Sequence, residues 1–512
     1  MWGLRSSRTV VLLAAAATFV IVGVLPLVDM LAAIVRPSTG AAALRAALLD
    51  SRQLSLLSTT MIVGLGTATL ATLIGAPLGF VLARIALPYK AALRIALAAP
   101  AVLPPYVVAL ALIAAAGSGA FTAGGAIVVL TVVFYPLTML ATEAGVRRVD
   151  PRLEDAGLLV ATPARVLRRI TWPLVLPTVT SAALVIFVLA ISEFSVPGLL
   201  RVRVFTTEVF TAFAALYDFG LATVLSLPLL IVSIGVGACA AIVLGDRLVT
   251  TRRSVGGAPG DAFDAWRPAA AVAVGVVIAA MLIVPVTVLV GEAARSTSIS
   301  VLIWNSRRAV VNSLTLAMVG ATAATLLGAC LGYARARATA TAGSALDAFW
   351  VVLFAVPSTV VGIGLIGTWN RTGVFGVLYG TPAMLVLAYL ARLVPVCALA
   401  IGATIRTVPE SHEEAAATAG AGWMRTMTQI VLPQVRNGLL AAWVVAFILA
   451  FGEVGTSILV APPGESTLPI RVYTLIANAP PGDAAALAVV QTVVILCALA
   501  LLGIASTHRR PA

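Results

Sequence analysis

Three charged residues set in apolar surroundings, Glu193, Glu453 and Arg392, are the positions of this 512-residue chain that draw a chemical reading first. An ionisable side chain at mid-bilayer depth costs about 2.5–3.5 kcal/mol on insertion scales, so such groups mark pathways, relays or ion pairs. Other reactive residues are sparse. Lys90 is the only lysine among the 33 basic residues, and it lacks the Gly-Lys-Ser/Thr context in which a P-loop lysine reaches nucleotide phosphates. His412 and His508 are too few for a histidine-built metal site. Cys239, Cys330, Cys397 and Cys497 lie in apolar runs with neither zinc spacing nor a disulfide framework, so no metal site is expected.

The surroundings of these charges are lipid-like. Apolar residues make up 61% of the chain and charged residues 10%, against roughly 25% charged in a soluble domain. The net charge of +13 is spread as arginines between long apolar runs, not along one stripe. It therefore points to a bilayer and not to nucleic acid. Twelve stretches approach the ~20 residues needed to cross the hydrocarbon core: 10–35, 56–83, 93–116, 122–142, 174–200, 221–245, 268–291, 309–334, 347–368, 375–405, 434–460 and 484–505. The first exceeds the 7–15 apolar residues of a signal peptide and reads as an uncleaved span. With both termini inside, 22 of the 33 basic residues fall in inner segments, ten fall outside, and Arg392 lies within a span. The positive-inside rule thus favours cytoplasmic N and C termini.

The chain repeats itself. TLIGAPLGFVLAR (72–84) matches TLLGACLGYARAR (325–337), placing Gly75, Gly79 and Arg84 on Gly328, Gly332 and Arg337. Glu193 falls on Glu453 at an offset of 260. Because six spans is an even number, both halves enter the membrane in the same direction, a parallel repeat. The expected organisation is an all-α membrane protein: a first half 1–245, a cytoplasmic linker 246–267 rich in Gly, Pro and mixed charge, and a second half 268–512.

Two inner loops carry the most specific sequence, one within 143–173 and one within 406–436. EDAGLLVATPARVLRRITWP (154–173) aligns with EAAATAGAGWMRTMTQIVLP (414–433), pairing Glu154 with Glu414 and Pro173 with Pro433. Asp150-Pro151 supplies a helix N-cap and a first-turn proline. Ser411 and Glu414 have capping-box spacing, so a helix is expected to begin near His412. Ala415, Ala416 and Ala417 leave a face open to close approach, and Gly420 or Gly422 lets the backbone turn.

The second loop resembles the EAA loop of bacterial ABC importer permeases: Glu-Ala-Ala, three residues, Gly, nine residues, Ile-x-Leu-Pro. Glu414, Ala415, Ala416, Gly420, Ile430, Leu432 and Pro433 fill every position. The first loop departs from it, with Asp155, Val160 and Trp172 where the pattern has Ala, Gly and Leu. This resemblance implies the type I importer permease fold, with two short coupling helices that dock on two ATP-binding subunits. The implied docking residues are Glu154, Asp155, Ala156, Val160 and Ala161 in one loop and Glu414, Ala415, Ala416, Gly420, Ala421 and Gly422 in the other. It also implies an extracytoplasmic solute-binding protein, an inner-membrane location, and no cofactor here, with ATP and Mg on the partner. The strings 192–210 and 452–475 resemble the ferric iron and thiamine branch, ferric iron above all, while polyamine, phosphonate, sulfate and molybdate permeases share the layout.

Two readings stand for Glu193 and Glu453: they line or gate a pathway between the halves, or they lie near the outer boundary, hydrated or capping. Arg392, opposite Val133 in the repeat, either pairs with Glu453 or Glu193 or meets an anionic substrate. A twelve-span secondary transporter is the rival class. Its basic Gly/Asp/Arg motif is missing from the loop ARIALPYKAALR (83–94).

Overall fold

The computed structural model describes residues 2–35, 51–248, 261–296 and 298–507. Ten helices are long and apolar enough to cross a bilayer, and two further pairs, each bent by 91°, bring the number to twelve among the described residues. No strand occurs among them. In order, the spans are Ser7–Ala32, Ser51–Arg84, Lys90–Val102 with Pro105–Ala120, Ala123–Arg148, Pro163–Ser192 and Phe219–Ala240. They continue as Arg267–Ala293, Ile299–Ala336, Ala340–Ala355 with Ser358–Trp369, Ala383–Ile405, Trp423–Phe451 and Pro481–Ala500. They are called spans 1 to 12 below. The fold is all-α and multi-pass.

Prolines set where the spans bend and widen. The third and ninth spans break at Pro104 and Pro357, both extended at the N-cap of the second segment, where a missing N–H costs nothing. Four π-helical turns, Val20–Val24, Leu167–Thr171, Ala279–Ile283 and Met427–Val431, each end two residues before a proline. The widened turn accommodates a ring that neither donates to the preceding turn nor clears its carbonyl.

Three expected span boundaries are corrected. The fifth and eleventh spans stop at Ser192 and Phe451, and short helices follow at Ser195–Leu199 and Ser457–Val460. The tenth begins at Ala383, because Gly376, Gly380 (φ +78°) and Pro382 interrupt the apolar run before it. Of the expected linker, 249–260 lies outside the described residues. Its end, Asp261–Trp266, is a 3-10 turn leading into the seventh span.

Within each half, the conserved geometry of the repeat rests on glycine contacts. A Cβ on Gly75 or Gly79 would come within 2.4 Å of a carbonyl oxygen, of Tyr135 or Met139 respectively, in the fourth span. At Gly328 it would meet Cys397 Cβ at 2.4 Å and at Gly332 the Ala398 carbonyl at 2.8 Å, in the tenth. Spans 2 and 4, and spans 8 and 10, therefore pack backbone to backbone, as small-residue pairs allow in lipid.

Between halves, the first span of each crosses over. Span 1 packs on spans 8, 9 and 10, and span 7 packs on span 3 as well as on its own span 12. The span ends that border the 143–173 and 406–436 loops are laced by ion pairs of opposite polarity. Glu143 takes Arg94 at 3.0 Å and Arg147 at 2.7 Å in the first half. Asp347, at the repeat position of Arg94, takes Arg335 and, at 3.5 Å, Arg406 in the second.

Candidate functional site: two short helices between spans and a polar cluster between the halves

Each half places a short helix between its fourth and fifth spans, counted within the half. The first covers Pro151–Leu158. Asp150 caps it by accepting from Arg152 N–H at 3.0 Å, with Pro151 in the first turn. The second covers Glu410–Thr418. Its N-cap is Pro409, without a side-chain cap, so Ser411 lies inside the first turn and the expected capping box does not form. A proline at the N-cap already fixes the extended entry that a serine would otherwise have supplied.

The two loops turn differently. After the second helix, Ala421 N–H donates to Ala416 O at 2.9 Å and Gly420 N–H to Ala417 O at 3.0 Å. This is a Schellman closure with Gly420 at φ +80°, a conformation glycine adopts without a Cβ penalty. The first loop has no glycine there and no left-handed residue. It closes on Gly157 O, which accepts from Val160 N–H at 3.2 Å and from Leu159 N–H, after a helix of eight residues rather than nine.

That one-residue difference corrects the alignment. Beyond the turn the halves match at an offset of 260, Pro163 with Trp423 and Trp172 with Leu432. Within the helices they match at 259, Pro151 with Glu410. Glu154 therefore corresponds to Glu413, not to Glu414, and Asp155 corresponds to Glu414.

Ion pairs bear this out. Arg84, at the foot of span 2, places Nε 2.8 Å from Glu154 Oε2 and donates from Nη2 to Val146 O at 3.0 Å. Arg337, its repeat mate at the foot of span 8, donates from Nε and Nη2 to Glu413 Oε1 at 2.8 and 2.6 Å and from Nη2 to Val408 O at 3.1 Å. Glu154 is 5% exposed, so its carboxylate faces its own half and is not free to meet another subunit. Asp155, Ala156, Val160, Glu414, Ala415 and Gly420 are exposed; Ala161, Ala421 and Gly422 are partly covered; Ala416 is buried. The first helix ends on two apolar, solvent-facing side chains, Leu159 and Val160. The second ends on Thr418 and Ala419.

Of the three intramembrane charges, Arg392 and Glu453 meet directly, and Glu193 lies within electrostatic range of both. Glu193 Oε1 accepts from Ser195 N–H at 2.8 Å and from the Ser195 hydroxyl, at the start of the short helix that follows. Glu453 accepts from Thr456 N–H at 2.8 Å on one oxygen, and on the other from Ser457 N–H at 2.8 Å and Ser457 Oγ at 2.6 Å. Both glutamates thus cap the breaks that end the fifth and eleventh spans. Arg392 Nη1 stands 3.9 Å from Glu453 Oε1. That is a loose contact for a group with five donors.

Sequence reasoning did not find the residues that join this cluster across the halves. Tyr106 of span 3 donates to Gln491 Oε1, and Gln491 Nε2 donates to Phe451 O at 3.0 Å. Phe194 and Tyr473 rings lie 5.9 Å apart. Gln491, a lone amide in the apolar run AVVQTVV, was the available signal for the first contact. Arg84 and Arg337, visible in the repeat, were the signal for the helix anchors. Among the described residues no group of three or more His, Cys, Asp or Glu converges as a metal site.

Known proteins fit this architecture. Residues 324–510 match the family described as binding-protein-dependent transport system inner membrane component. A putative ABC transporter permease protein of Streptomyces antibioticus is 32% identical over 186 residues, 35% of this chain and 80% of that protein. A putative ferric transport system permease protein of Haemophilus influenzae is 23% identical, over 67% of this chain and 56% of its own length. A putrescine transport system permease protein of Escherichia coli is 30% identical, over 32% of this chain and 60% of its own length. The chain thus spans a little over half of the ferric and putrescine relatives. With two EAA-type loops folded as short helices on a multi-pass helical body, this chain belongs to the inner-membrane permease family of binding-protein-dependent ABC transporters.

Proposed function

We propose that this chain is a two-half permease of an ATP-driven importer, the halves being 1–245 and 268–512 with 246–267 joining them. Two copies of a separate ATP-binding subunit sit beneath the inner helices Pro151–Leu158 and Glu410–Thr418, and an extracytoplasmic binding protein delivers the solute. ATP and Mg reside on the partner subunits, and both termini face the cytoplasm. The observation that carries this reading is the paired inner helices, each fixed to the foot of its own half and each presenting an exposed acidic residue, Asp155 or Glu414.

The solute is ferric iron in this reading. Two ferric transport permeases align over 67% and 63% of the chain, across both halves. Relatives named for 2-aminoethylphosphonate and molybdate/tungstate align over 28% and 37%, and thiamine, polyamine, phosphonate or sulfate/molybdate form the alternative. Passage runs between the halves, past Glu193, Glu453 and Arg392. The carboxylates hold the span breaks in shape, and the loosely held guanidinium is the charge free to respond.

Purification with a candidate ATP-binding subunit tests the assignment. The wild-type chain should retain an ATPase dimer, and substitution of Glu414 and Gly420 should release it. Uptake by the chain alone in proteoliposomes, driven by an ion gradient, would instead establish a secondary carrier. The ligand retained by the cognate binding protein identifies the solute.

A further inference from the structure

The carboxylates that tie these helices to Arg84 and Arg337, Glu154 buried and Glu413 half-buried, are completed by hydroxyl groups that come from different places in the two halves. In the first half, Thr171 Oγ1, in the π turn leading into the fifth span, donates to Glu154 Oε1 at 2.6 Å. In the second, Tyr333 hydroxyl, on span 8, donates to Glu413 Oε2 at 2.8 Å. The repeat position of Tyr333 is Phe80, which has no hydroxyl, and the repeat position of Thr171 is Val431, which has none either. Each half therefore keeps one donor and drops the other. A carboxylate oxygen buried without a donor is costly, so loss of one hydroxyl demands the other.

The rings at the matching repeat positions 80 and 333 are each met by the segment that enters the crossed-over span of the other half. The Phe80 ring meets Phe263 at 5.3 Å and Trp266 at 6.3 Å, just before span 7. The Tyr333 ring meets Arg8 at 5.4 Å, at the start of span 1, and Trp423 at 5.9 Å.

We propose that Glu154 and Glu413 are positioning residues that, with Arg84–Thr171 and Arg337–Tyr333, fasten each inner helix rigidly to the foot of span 2 or span 8, the two hydroxyl donors being interchangeable. This rests on the reading of the inner helices as levers for a separate ATPase. A lever held this way passes a push from below to the span it is bolted to, instead of rotating in place. The adjacent residue, Asp155 or Glu414, is left outward for the partner.

The test uses the whole chain in nanodiscs, without any partner, and reads amide exchange over 151–158 and 410–418. Tyr333→Phe should raise exchange over 410–418 by roughly ten- to a hundredfold, as expected for loss of a hydrogen bond to a charged group, and leave 151–158 unchanged. Adding Val431→Thr, which copies the first-half donor, should restore protection. Thr171→Val and Thr171→Val with Phe80→Tyr should give the mirror result over 151–158. In the transporter assembled with its ATPase, the same single variants should lower solute moved per ATP hydrolysed at least about threefold while ATPase association is unchanged, and the double variants should recover the ratio. Unchanged exchange in Tyr333→Phe, or no recovery in a double variant that melts like the wild type, would overturn the proposal. Failure of the unsubstituted chain to bind any ATPase would sink the lever reading alone, since the exchange result needs no partner.

Discussion

Arg392 Nη1 lies 3.9 Å from Glu453 Oε1, while Val133 stands at the matching place in the first half, so the polar cluster between the halves is asymmetric in charge. Both carboxylates are occupied by backbone and hydroxyl donors of the segment that follows each, whereas among the described residues the guanidinium has one ion pair, at 3.9 Å. Structural duty and responsive duty are thus divided between the acidic residues and the arginine.

This division separates the effects of substitution. Glu453→Gln replaces one of two accepting oxygens with a donor facing Ser457 or Thr456, at a cost of about 1–3 kcal/mol, and should lower the melting temperature in detergent. Arg392→Gln removes the loose ion pair with Glu453 and a positive charge near Glu193 but spares the donors that hold both carboxylates, so melting should stay nearly unchanged, while uptake falls at least about tenfold if the guanidinium serves passage. Normal uptake by Arg392→Gln, Glu193→Gln and Glu453→Gln at normal expression would remove all three from the pathway.

Neighbouring acids on one inner helix should behave oppositely. Glu154→Ala strands Arg84 in a buried site, a loss of about 3–5 kcal/mol for one partner of a buried pair, and should expose 151–158 to proteolysis in the chain alone. Asp155→Ala removes an exposed carboxylate and should leave proteolysis unchanged while weakening ATPase retention in pull-downs.

The glycine contacts give a packing prediction. Gly79→Ala would drive a Cβ to 2.4 Å from Met139 O, an overpacking cost of about 1–3 kcal/mol, read as reduced yield and a lower melting temperature. Gly275→Ala and Gly291→Ala, where nothing lies within 4 Å, should melt at or above the wild-type temperature.

The second loop's turn depends on Gly420 at φ +80° with open space around its Cα. Gly420→Ala should therefore act through backbone strain alone, about 1–2 kcal/mol, loosening 410–418 by exchange without altering span packing. An equivalent substitution at Val160, Val160→Ala, carries no such strain and should leave exchange over 151–158 as it was.

Apolar run length, arginine placement and the Gly-x-x-x-Gly repeat already dictate a multi-pass helical body in two halves, because lipid forces every span to satisfy its own backbone. The EAA-type spacing likewise announces two short helices and offers Gly420 or Gly422 as the turn after the second, of which the structure uses Gly420. What the string of residues left undecided was which way each glutamate points. Glu154 aligned with Glu414 by motif, yet the first helix is one residue shorter, and burial against Arg84 shifts its partner to Glu413. Likewise the sequence left Glu193 and Glu453 between lining a pathway and capping near a boundary, and the breaks after Ser192 and Phe451 make them caps. A one-residue change in a turn alters no composition or periodicity. Only the packed foot of each half, where an arginine and a hydroxyl wait for a carboxylate, selects the register.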